Sequence, residues 1–444
     1  MRLTVIGCGY LGAVHAAAMA DLGHHVLGVE TDPARLERLV RGEAPFYEPG
    51  LDELLRRGAR EGRLHYATAP GTTRRTRADV HFLAVGTPQS PSGRGADLSH
   101  LWRAVDTLAA TLPPRERLDE LPLVVGKSTV PVGTAQRVAD RLAGRALVVW
   151  NPEFLREGLA VSDTLRPDRI VYGLPADPAG AERAREVLDE VYAPILEADV
   201  PRLTMDYQTA ELVKTAANAF LATKISFINA MSALCDAAGA DVAVLADAIG
   251  RDARIGHRFL RAGIGFGGGC LPKDLRGLEQ RAAELGADGL ASFLDRVDAI
   301  NRGQRDRVTQ MALEALEPDP AGRAVTILGV TFKPDSDDIR DSPALDVAVR
   351  LHGLGANVTV TDPAALENAA RVHPQLTYVE DRDEALRDAD AVVLVTEWDE
   401  YRRELDPAHA ATLTRGRVVV DGRNGLDAAA WRAAGWTYSG MGRP

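Results

Sequence analysis

The chain has 444 residues, a length typical of two or three domains. Its hydrophobic fraction of 45% and charged fraction of 26% exclude a disordered, collagen-like or coiled-coil protein. The formal net charge of −11 gives no reason to expect a nucleic acid or a membrane surface as a partner, and no apolar run approaches the roughly 18–20 residues of a membrane span.

The first part of the chain alternates short apolar runs with helical stretches. The runs predict strands at residues 3–6, 26–29, 80–85, 123–125 and 147–149, and the helical stretches between them include residues 11–22 and 98–112. Such alternation is typical of a doubly wound parallel sheet.

The middle of the chain is helical. Residues 206–238 contain no internal Gly or Pro and predict one long helix, and further helix extends to about residue 316, interrupted by a glycine-rich segment at 263–269. After a predicted linker, strand signals return at residues 324–329, 357–361, 391–395 and 418–421, with a helix over 343–354.

We therefore predict an α/β protein with two Rossmann-like, doubly wound domains joined by a long central helix and a helical region. The predicted boundaries are 1–205 for the N-terminal domain, 206–316 for the central helical region, and 317–444 for the C-terminal domain.

A dinucleotide-binding motif follows the first predicted strand. Gly7, Gly9 and Gly12 form a G-x-G-x-x-G at the start of a helix, where backbone N–H groups can bind a pyrophosphate. Glu30 ends the second strand 18 residues after Gly12, and a carboxylate there binds ribose hydroxyls and repels a 2′-phosphate. The pattern predicts NAD rather than NADP. Asp32 is the alternative ribose ligand, but it precedes a proline and is expected to cap a helix.

The three cysteines, Cys8, Cys235 and Cys270, include no C-x-x-C pair. This predicts no disulfide framework, no metal site and a reducing, cytoplasmic location. Cys8 and Cys235 are expected to be packed in the interior. The N-terminus lacks the long apolar stretch of a signal peptide.

Cys270 differs from the other two because it follows the glycine-rich segment and precedes Pro272 and Lys273. We expect it just ahead of a helix N-terminus, where the dipole and the lysine favour a thiolate; the alternative is an inert loop cysteine. With NAD, such a thiol can trap an aldehyde as a thiohemiacetal and pass through a thioester to an acid. Lys214 and Asn218 lie on one helix face and could bind an oxyanion, unless they form a solvated polar stripe.

Nine ordered motifs resemble the UDP-glucose/GDP-mannose dehydrogenase family over nearly the whole chain. They are GCGYLG, VGTPQSPSGRGADLS, KSTVPVGT, NPEFLREGLAVSD, PDRIVYG, AELVKTAAN, GFGGGCLPKD, GVTFKPDSDDIRDSPA and DGRN. The resemblance implies oxidation of the C6 alcohol of a nucleotide sugar to a carboxylate, using two NAD⁺ and a covalent cysteine thioester.

The resemblance also implies individual roles. Cys270 would be the nucleophile, Lys214 and Asn218 would hold the oxyanion, and Asp274 and Thr129 would position a water. Glu153 would be the acid/base for hydrolysis, and Glu157 would lie near the nicotinamide. The acceptor of the first proton stays open between Lys214 and a water held by Thr129 and Asp274.

Implied contacts to NAD come from Gly7, Gly9, Tyr10, Leu11, Gly12, Glu30, Thr87, Thr129, Glu157, Lys273 and Arg340. Implied contacts to the UDP-sugar come from Phe154, Leu155, Arg156, Lys214, Asn218, Arg254, Phe259, Leu260, Gly267, Lys333 and Arg423. Arg254 would reach the substrate of a neighbouring subunit in a homodimer, whereas the alternative for Arg423 is a solvated surface charge. The chain departs from the family pattern at Glu30, commonly Asp, and at Gly269, frequently Ser.

The motifs look most like those of the members that oxidise UDP-glucose, so this sugar is the predicted substrate. UDP-N-acetylhexosamines and GDP-mannose are the alternatives. Two further alternatives are a non-catalytic NAD-sensing protein and a two-electron dehydrogenase that stops at the aldehyde. Only five of the 52 basic residues are lysines, which makes each of them a candidate for a specific role. One of them, Lys224, has no role that the motifs explain.

Overall fold

The structure is a computed structural model that describes residues 1–69, 78–91 and 95–443; residues 92–94 of the VGTPQSPSGRGADLS motif lie outside this description. The chain divides into two compact units, Met1–Ala217 and Asn218–Pro444. Among the described residues, no helix is long and apolar enough to span a membrane.

The first unit is built on a sheet with helices on its two faces. Its strands are β1 (Arg2–Ile6), β2 (His25–Val29), β3 (Leu64–Ala67), β4 (Val80–Leu83), β5 (Leu123–Gly126), β6 (Leu147–Trp150), β7 (Ile170–Leu174) and β8 (Arg202–Asp206). Its helices are α1 (Tyr10–Asp21), α2 (Pro33–Val40), α3 (Leu51–Arg60), α4 (Ser99–Thr111), α5 (Thr134–Arg141), α6 (Ala160–Leu165), α7 (Pro178–Val191) and α8 (Ala193–Leu196), with a 3₁₀ helix at Leu118–Glu120.

The sheet order in this unit is β3-β2-β1-β4-β5-β6-β7-β8, and every neighbouring pair is parallel except β6 and β7. Successive side chains of β5 enter different cores: Leu123 and Val125 pack in one buried cluster and Val124 in another. This alternation explains why β5 is apolar at every position, since the sheet is covered on both faces.

The helix α9 (Tyr207–Ala238) begins in the first unit and continues into the second, as the absence of Gly and Pro predicts. The second unit contains α10 (Val242–Gly250), α11 (Leu271–Glu284), α12 (Asp288–Ala315), α13 (Pro343–Gly353), α14 (Leu366–Val372), α15 (Arg382–Leu386), α16 (Asp399–Arg402), α17 (Pro407–Leu413) and α18 (Ala428–Ala433). Its strands are β9 (Ala324–Leu328), β10 (Asn357–Thr361), β11 (Thr377–Tyr378), β12 (Ala391–Leu394), β13 (Val418–Asp421) and β14 (Thr437–Gly440).

The second sheet repeats the start of the first. Its order is β11-β10-β9-β12-β13-β14, all parallel, which matches β3-β2-β1-β4-β5-β6 strand for strand. Gly7 after β1 has φ +89° and donates its N–H to Val29 O, and Gly329 after β9 has φ +88° and donates to Thr361 O. The predicted fold class, two Rossmann-like units with a long central helix, is therefore confirmed.

Candidate active site

The glycine loop after β1 has the shape that a dinucleotide requires. A Cβ atom on Gly12 would lie 1.8 Å from Gly7 O, and one on Gly7 would lie 2.8 Å from Val85 Cα, so packing alone requires these two glycines. No described atom lies within 4 Å of a Cβ placed on Gly9, the N-cap of α1. Open space in front of backbone N–H groups at a helix N-terminus fits a pyrophosphate.

Glu30 is buried immediately after β2. Its Oε1 accepts the N–H groups of Thr31 (2.8 Å) and Asp32 (2.9 Å), and its Oε2 accepts Nη1 of Arg35 (3.1 Å). These contacts hold the carboxylate at the edge of the sheet, next to the glycine loop. Asp32 accepts the Arg35 N–H at 2.9 Å and caps α2, as predicted.

The loops after β4 and β5 contact each other directly. The Thr87 hydroxyl donates to Thr129 O at 2.8 Å, and the Ser128 hydroxyl donates to Val85 O at 2.7 Å. Because the carboxyl ends of parallel strands meet at one edge, the predicted residues Gly7, Glu30, Thr87 and Thr129 share the edge where such folds bind ligands.

The second unit has an acid in the position that corresponds to Glu30, but this acid accepts hydrogen bonds from within its own unit. Asp362 follows β10 and is buried, and its Oδ2 accepts the N–H groups of Val330 (2.8 Å) and Thr331 (3.2 Å) and the Trp398 indole N–H (3.2 Å). Backbone donors that would face a pyrophosphate are thus already paired after β9. This contrast favours the first unit as the NAD site.

A buried ion pair lies in the first unit. Lys214 Nζ is 3.0 Å from Glu153 Oε1, with side chains only 6% and 13% exposed, and Glu153 Oε2 accepts the Leu155 N–H at 2.7 Å. The Phe154 ring centroid lies 5.8 Å from Lys214 Nζ and 3.9 Å from Arg169 Cζ. Lys214 is therefore not part of a solvated stripe, and it meets the predicted acid/base directly.

A second buried lysine, Lys127, lies near this pair and was not among the predicted site residues. Its ammonium donates to Asn151 Oδ1 at 2.9 Å and to Asn151 O at 3.3 Å. Burial lowers the pKa of Lys127 to about 8, the Glu153 carboxylate opposes this shift, and the Lys214 ammonium adds to it. Its place in the KSTVPVGT motif and the rarity of lysine were signals that could have identified it.

The neighbouring predicted residues of the first unit differ in exposure. The Arg156 side chain is 55% exposed and contacts both oxygens of Asp163, at 2.9 and 2.7 Å. Glu157 is buried, and Leu11 packs against the core of the unit.

In the second unit, Cys270 is exposed and is the N-cap of α11, as predicted. The helix begins at Leu271, and Pro272 is its second residue. Cys8 and Cys235 are buried, which confirms the expectation for both. The thiol thus lies at the positive end of a 14-residue helix.

Asp274, in the first turn of α11, connects two other predicted residues. Its Oδ2 accepts Nδ2 of Asn218 at 2.7 Å, and its Oδ1 contacts the Lys273 ammonium. The side chain of Asp274 is 1% exposed and that of Lys273 17% exposed. Asn218 therefore has a buried ionic partner rather than a place in a solvated stripe.

The glycine-rich segment before Cys270 is held by Asn301, a residue of α12 that the sequence motifs do not include. Asn301 Oδ1 accepts the Phe266 N–H at 2.8 Å, and its Nδ2 donates to Phe266 O at 3.0 Å. A Cβ on Gly267 would lie 2.3 Å from Asp341 O. The segment consequently requires glycine for close backbone packing.

Arg340 lies beside Gly269. Arg340 O accepts the Gly268 N–H at 2.9 Å, and its guanidinium contacts Asp338 at 2.7 Å while remaining 62% exposed. A Cβ on Gly269 would lie 2.4 Å from Arg340 Cζ. Glycine at this position leaves room for the arginine beside the cysteine.

Arg423 is not a solvated surface charge. Its guanidinium donates to Phe332 O (2.7 Å), Val395 O (2.8 Å) and Gly265 O (3.1 Å), and its Nε lies 3.3 Å from Glu397 Oε2. Burial lowers the pKa of Arg423, and Glu397 opposes this shift. Lys333 Nζ lies 5.5 Å from the centroid of the Phe332 ring.

The segment after α10 carries the remaining predicted residues. The Arg254 side chain is 89% exposed and contacts Asp252 at 2.6 Å, Phe259 is 37% exposed with φ +65°, and Leu260 is buried in a core cluster. Lys224, which had no assigned role, donates to Ile255 O at 2.9 Å and Gly256 O at 3.2 Å. Its ammonium therefore holds the backbone next to Arg254.

Three family models match successive parts of the chain. The NAD binding domain of the UDP-glucose/GDP-mannose dehydrogenase family matches residues 1–196, the central domain of that family matches 208–303, and its UDP binding domain matches 326–428.

Full-length relatives extend this similarity. A UDP-glucose 6-dehydrogenase of Rhizobium meliloti is 40% identical over 100% of both chains, and one of Pseudomonas aeruginosa is 41% identical over 100% of this chain and 98% of the relative. A solved UDP-glucose dehydrogenase from the hyperthermophilic archaeon Pyrobaculum islandicum has a TM-score of 0.87 at 39% identity, covering 100% of this chain and 98% of its own. A UDP-D-ManNAc dehydrogenase structure from Pyrococcus horikoshii has a TM-score of 0.84 at 25% identity, covering 100% and 99%.

Proposed function

The chain belongs to the UDP-glucose/GDP-mannose dehydrogenase family, and from this premise we propose that it oxidises UDP-glucose at C6 to UDP-glucuronate with two NAD⁺. The family predicted from the nine motifs is confirmed by the three matched domains, and so is NAD as the cofactor. The observation that carries the reaction is the exposed Cys270 thiol at the N-terminus of α11, preceded by a close-packed glycine segment.

In the first half of the reaction, C6 changes from alcohol to aldehyde. The hydroxyl proton goes either to the Lys214 side chain in its neutral amine form, which thereby becomes an ammonium, or to a water held by Thr129 and Asp274. The glycine loop and Glu30 would hold NAD⁺, which would supply the acceptor for the hydride that leaves C6 in this oxidation and in the next. The Lys214 ammonium and the Asn218 amide donate to the oxygen of the substrate as it gains negative charge.

In the second half, the Cys270 thiolate attacks the aldehyde carbon, and the oxygen takes up a proton to give a thiohemiacetal. Loss of that proton and of a hydride yields a thioester. Water then attacks C6, the C6–Sγ bond breaks, and Cys270 leaves as a thiolate while the sugar becomes a carboxylate. Glu153 accepts the proton of the attacking water, and its contact with Lys214 supplies a nearby positive charge.

The proposal assigns the UDP group of the substrate to the second unit, where the UDP binding domain model matches, and adds further substrate contacts from the first unit. The proposed substrate contacts are Phe154, Leu155, Arg156, Phe259, Leu260, Gly267, Lys333 and Arg423. The proposal also includes a homodimer, in which Arg254 acts in trans across the interface. The exposure of Phe220 (67%), Phe227 (51%) and Leu234 (58%), seven residues apart on α9, supports a second copy there. We place the enzyme in the cytoplasm, since three cysteines with no C-x-x-C pair are typical of a protein in a reducing compartment. We retain 1–205, 206–316 and 317–444 as its domains.

An end-point assay tests the reaction. The protein is incubated with limiting UDP-glucose and excess NAD⁺, and NADH is counted per sugar consumed. We expect two. One NADH per sugar with accumulation of aldehyde would identify a two-electron dehydrogenase, and no NADH formation with any nucleotide sugar would identify an NAD-binding protein without this activity. A higher kcat/KM with GDP-mannose or a UDP-N-acetylhexosamine would overturn UDP-glucose as the substrate.

A further inference from the structure

A buried carboxylate outside the predicted site joins two segments that belong to it. Glu48 lies between α2 and α3 and is 6% exposed. Its Oε2 accepts the Tyr10 hydroxyl and the Gly158 N–H (2.7 Å), and its Oε1 accepts the Ala160 N–H (2.8 Å). The Gly158 N–H also lies 3.0 Å from the Tyr10 hydroxyl oxygen.

The partners of Glu48 are placed where the cofactor is expected. Tyr10 is the first residue of α1, directly after the open space at Gly9. Gly158 has φ +78° and follows Glu157, the residue expected beside the nicotinamide. A single side chain therefore fixes the beginning of the cofactor helix relative to the segment that carries Glu157, and these segments are 148 residues apart along the chain.

Only a carboxylate satisfies all these donors. A glutamine would place its NH₂ group against a backbone N–H of Gly158 or Ala160, because each oxygen of Glu48 already accepts a backbone N–H group. Burial and the Glu48 carboxylate raise the pKa of Tyr10, which keeps this hydroxyl a donor. The Tyr10 and Phe46 rings are 4.4 Å apart and hold residues 46–48 in place.

We infer that Glu48 is a positioning residue for NAD. It keeps the Tyr10 hydroxyl turned away from the pyrophosphate space and presets the Glu157–Gly158 backbone against α1, so that the nicotinamide side of the site is formed before the cofactor arrives. The inference rests on NAD binding by the first unit, which is one part of the proposed function, and not on the identity of the sugar.

The test measures NADH binding to the full-length protein by fluorescence titration. We expect Glu48→Gln to raise the Kd for NADH about tenfold and Tyr10→Phe, which keeps the ring and both backbone contacts, to raise it about threefold. In the Tyr10→Phe background the Glu48→Gln effect should shrink, since the two side chains act together. Glu53→Gln is the matched control, because Glu53 is 79% exposed on α3; its Kd should equal that of the wild type.

Thermal unfolding of each variant shows whether it is folded, so that a loss of NADH affinity can be distinguished from a loss of stability. If folded Glu48→Gln and Tyr10→Phe proteins bind NADH within twofold of the wild type, the inference is wrong. It is also wrong if their effects on Kd are additive, or if Glu53→Gln weakens binding equally. If Glu48→Gln does not fold, the Kd of Tyr10→Phe for NADH alone tests the inference. Wild-type protein that binds NADH but oxidises no nucleotide sugar would refute the proposed reaction and leave this inference intact.

Discussion

The amide of Asn218 donates a 2.7 Å hydrogen bond to the carboxylate of Asp274, a contact between α9 and the first turn of α11 in which both residues are buried. This contact fixes the helix of the nucleophile relative to the long central helix. It also orients the Asn218 amide: one N–H is donated to Asp274, and the second N–H is the donor that the proposed mechanism uses for the substrate oxygen. The pair therefore connects the position of Cys270 to that of the proposed oxyanion donor.

Replacing Asn218 by Asp tests how strongly this contact depends on charge. Two facing buried carboxylates repel each other, so Asn218→Asp should lower the free energy of unfolding by about 3 kcal/mol near pH 7. The loss should shrink towards about pH 5, where one of the two carboxyl groups takes up a proton. Urea denaturation at both pH values measures it. Asn218→Ala, which only removes the donor, should give a loss of about 1–2 kcal/mol that does not change with pH; equal pH profiles of the two variants would contradict the explanation.

The buried ammonium of Lys127 should make the free energy of unfolding depend on pH in the alkaline range. Burial lowers its pKa to about 8 from an unfolded value near 10.5, so the unfolded chain binds more protons between these two values. Below about pH 8 the charged lysine is buried, and the free energy of unfolding is lowered by the full cost of that burial. As the pH rises from about 8 to 10.5, the buried lysine loses its proton and the free energy of unfolding increases. Relative to Lys127→Met, the wild type should gain on the order of 2 kcal/mol between pH 7 and pH 10.

The charged groups facing Lys127 define the control for that experiment. Glu153 and Lys214 act on its ammonium, so the comparison with Lys127→Met is repeated in a Lys214→Met background, where one repulsive charge is absent. There the pKa of Lys127 in the folded protein should be higher, so the lower end of the window should move to higher pH and the gain in stability should be smaller. A difference between wild type and Lys127→Met that stays flat across the window would show that the lysine is not buried as a charged group.

Cys270→Ser separates cofactor binding from chemistry. The serine hydroxyl cannot form the thioester, so UDP-glucuronate formation should fall by about three orders of magnitude or more. NADH affinity should stay within about twofold of the wild type, because Cys270 is not among the proposed NAD contacts and serine is close to cysteine in size. Chromatographic detection of the acid and fluorescence titration of NADH measure the two quantities. Acid formation at the normal rate would refute the thioester mechanism, and Cys235→Ser, at a buried position, serves as the comparison.

The parts of this fold and site that could be predicted are those that leave a local pattern. Gly7, Gly9, Gly12 and Glu30 lie within one strand-loop-helix-strand unit, where spacing alone indicates their use. In contrast, strand β8 has an exposed edge and no apolar run, so the periodicity that predicts buried strands misses it.

Long-range contacts explain the site residues that were missed. Glu48 and its partner Gly158 are 110 residues apart, and Asn301 and Phe266 are 35 apart. A glutamate or asparagine in a loop or helix is normally a solvated side chain, and nothing nearby in the sequence distinguishes these two. Their roles follow only from the backbone N–H groups that the fold brings to them.

Lys224 offers the most direct test of a role that no motif explains. Its ammonium donates to the adjacent carbonyls of Ile255 and Gly256, and the longer, planar guanidinium of an arginine would place its donors at different positions. Lys224→Met should therefore release the backbone that carries Arg254 and raise the KM for UDP-glucose about fivefold, corresponding to about 1 kcal/mol, with Lys224→Arg showing a smaller part of the same effect. The Kd for NADH should not change, because Lys224 holds the backbone beside Arg254, and neither residue is among the proposed NAD contacts. Steady-state kinetics of both variants measures the KM, and an unchanged value in Lys224→Met would mean that the contact stabilises the segment without shaping the substrate site.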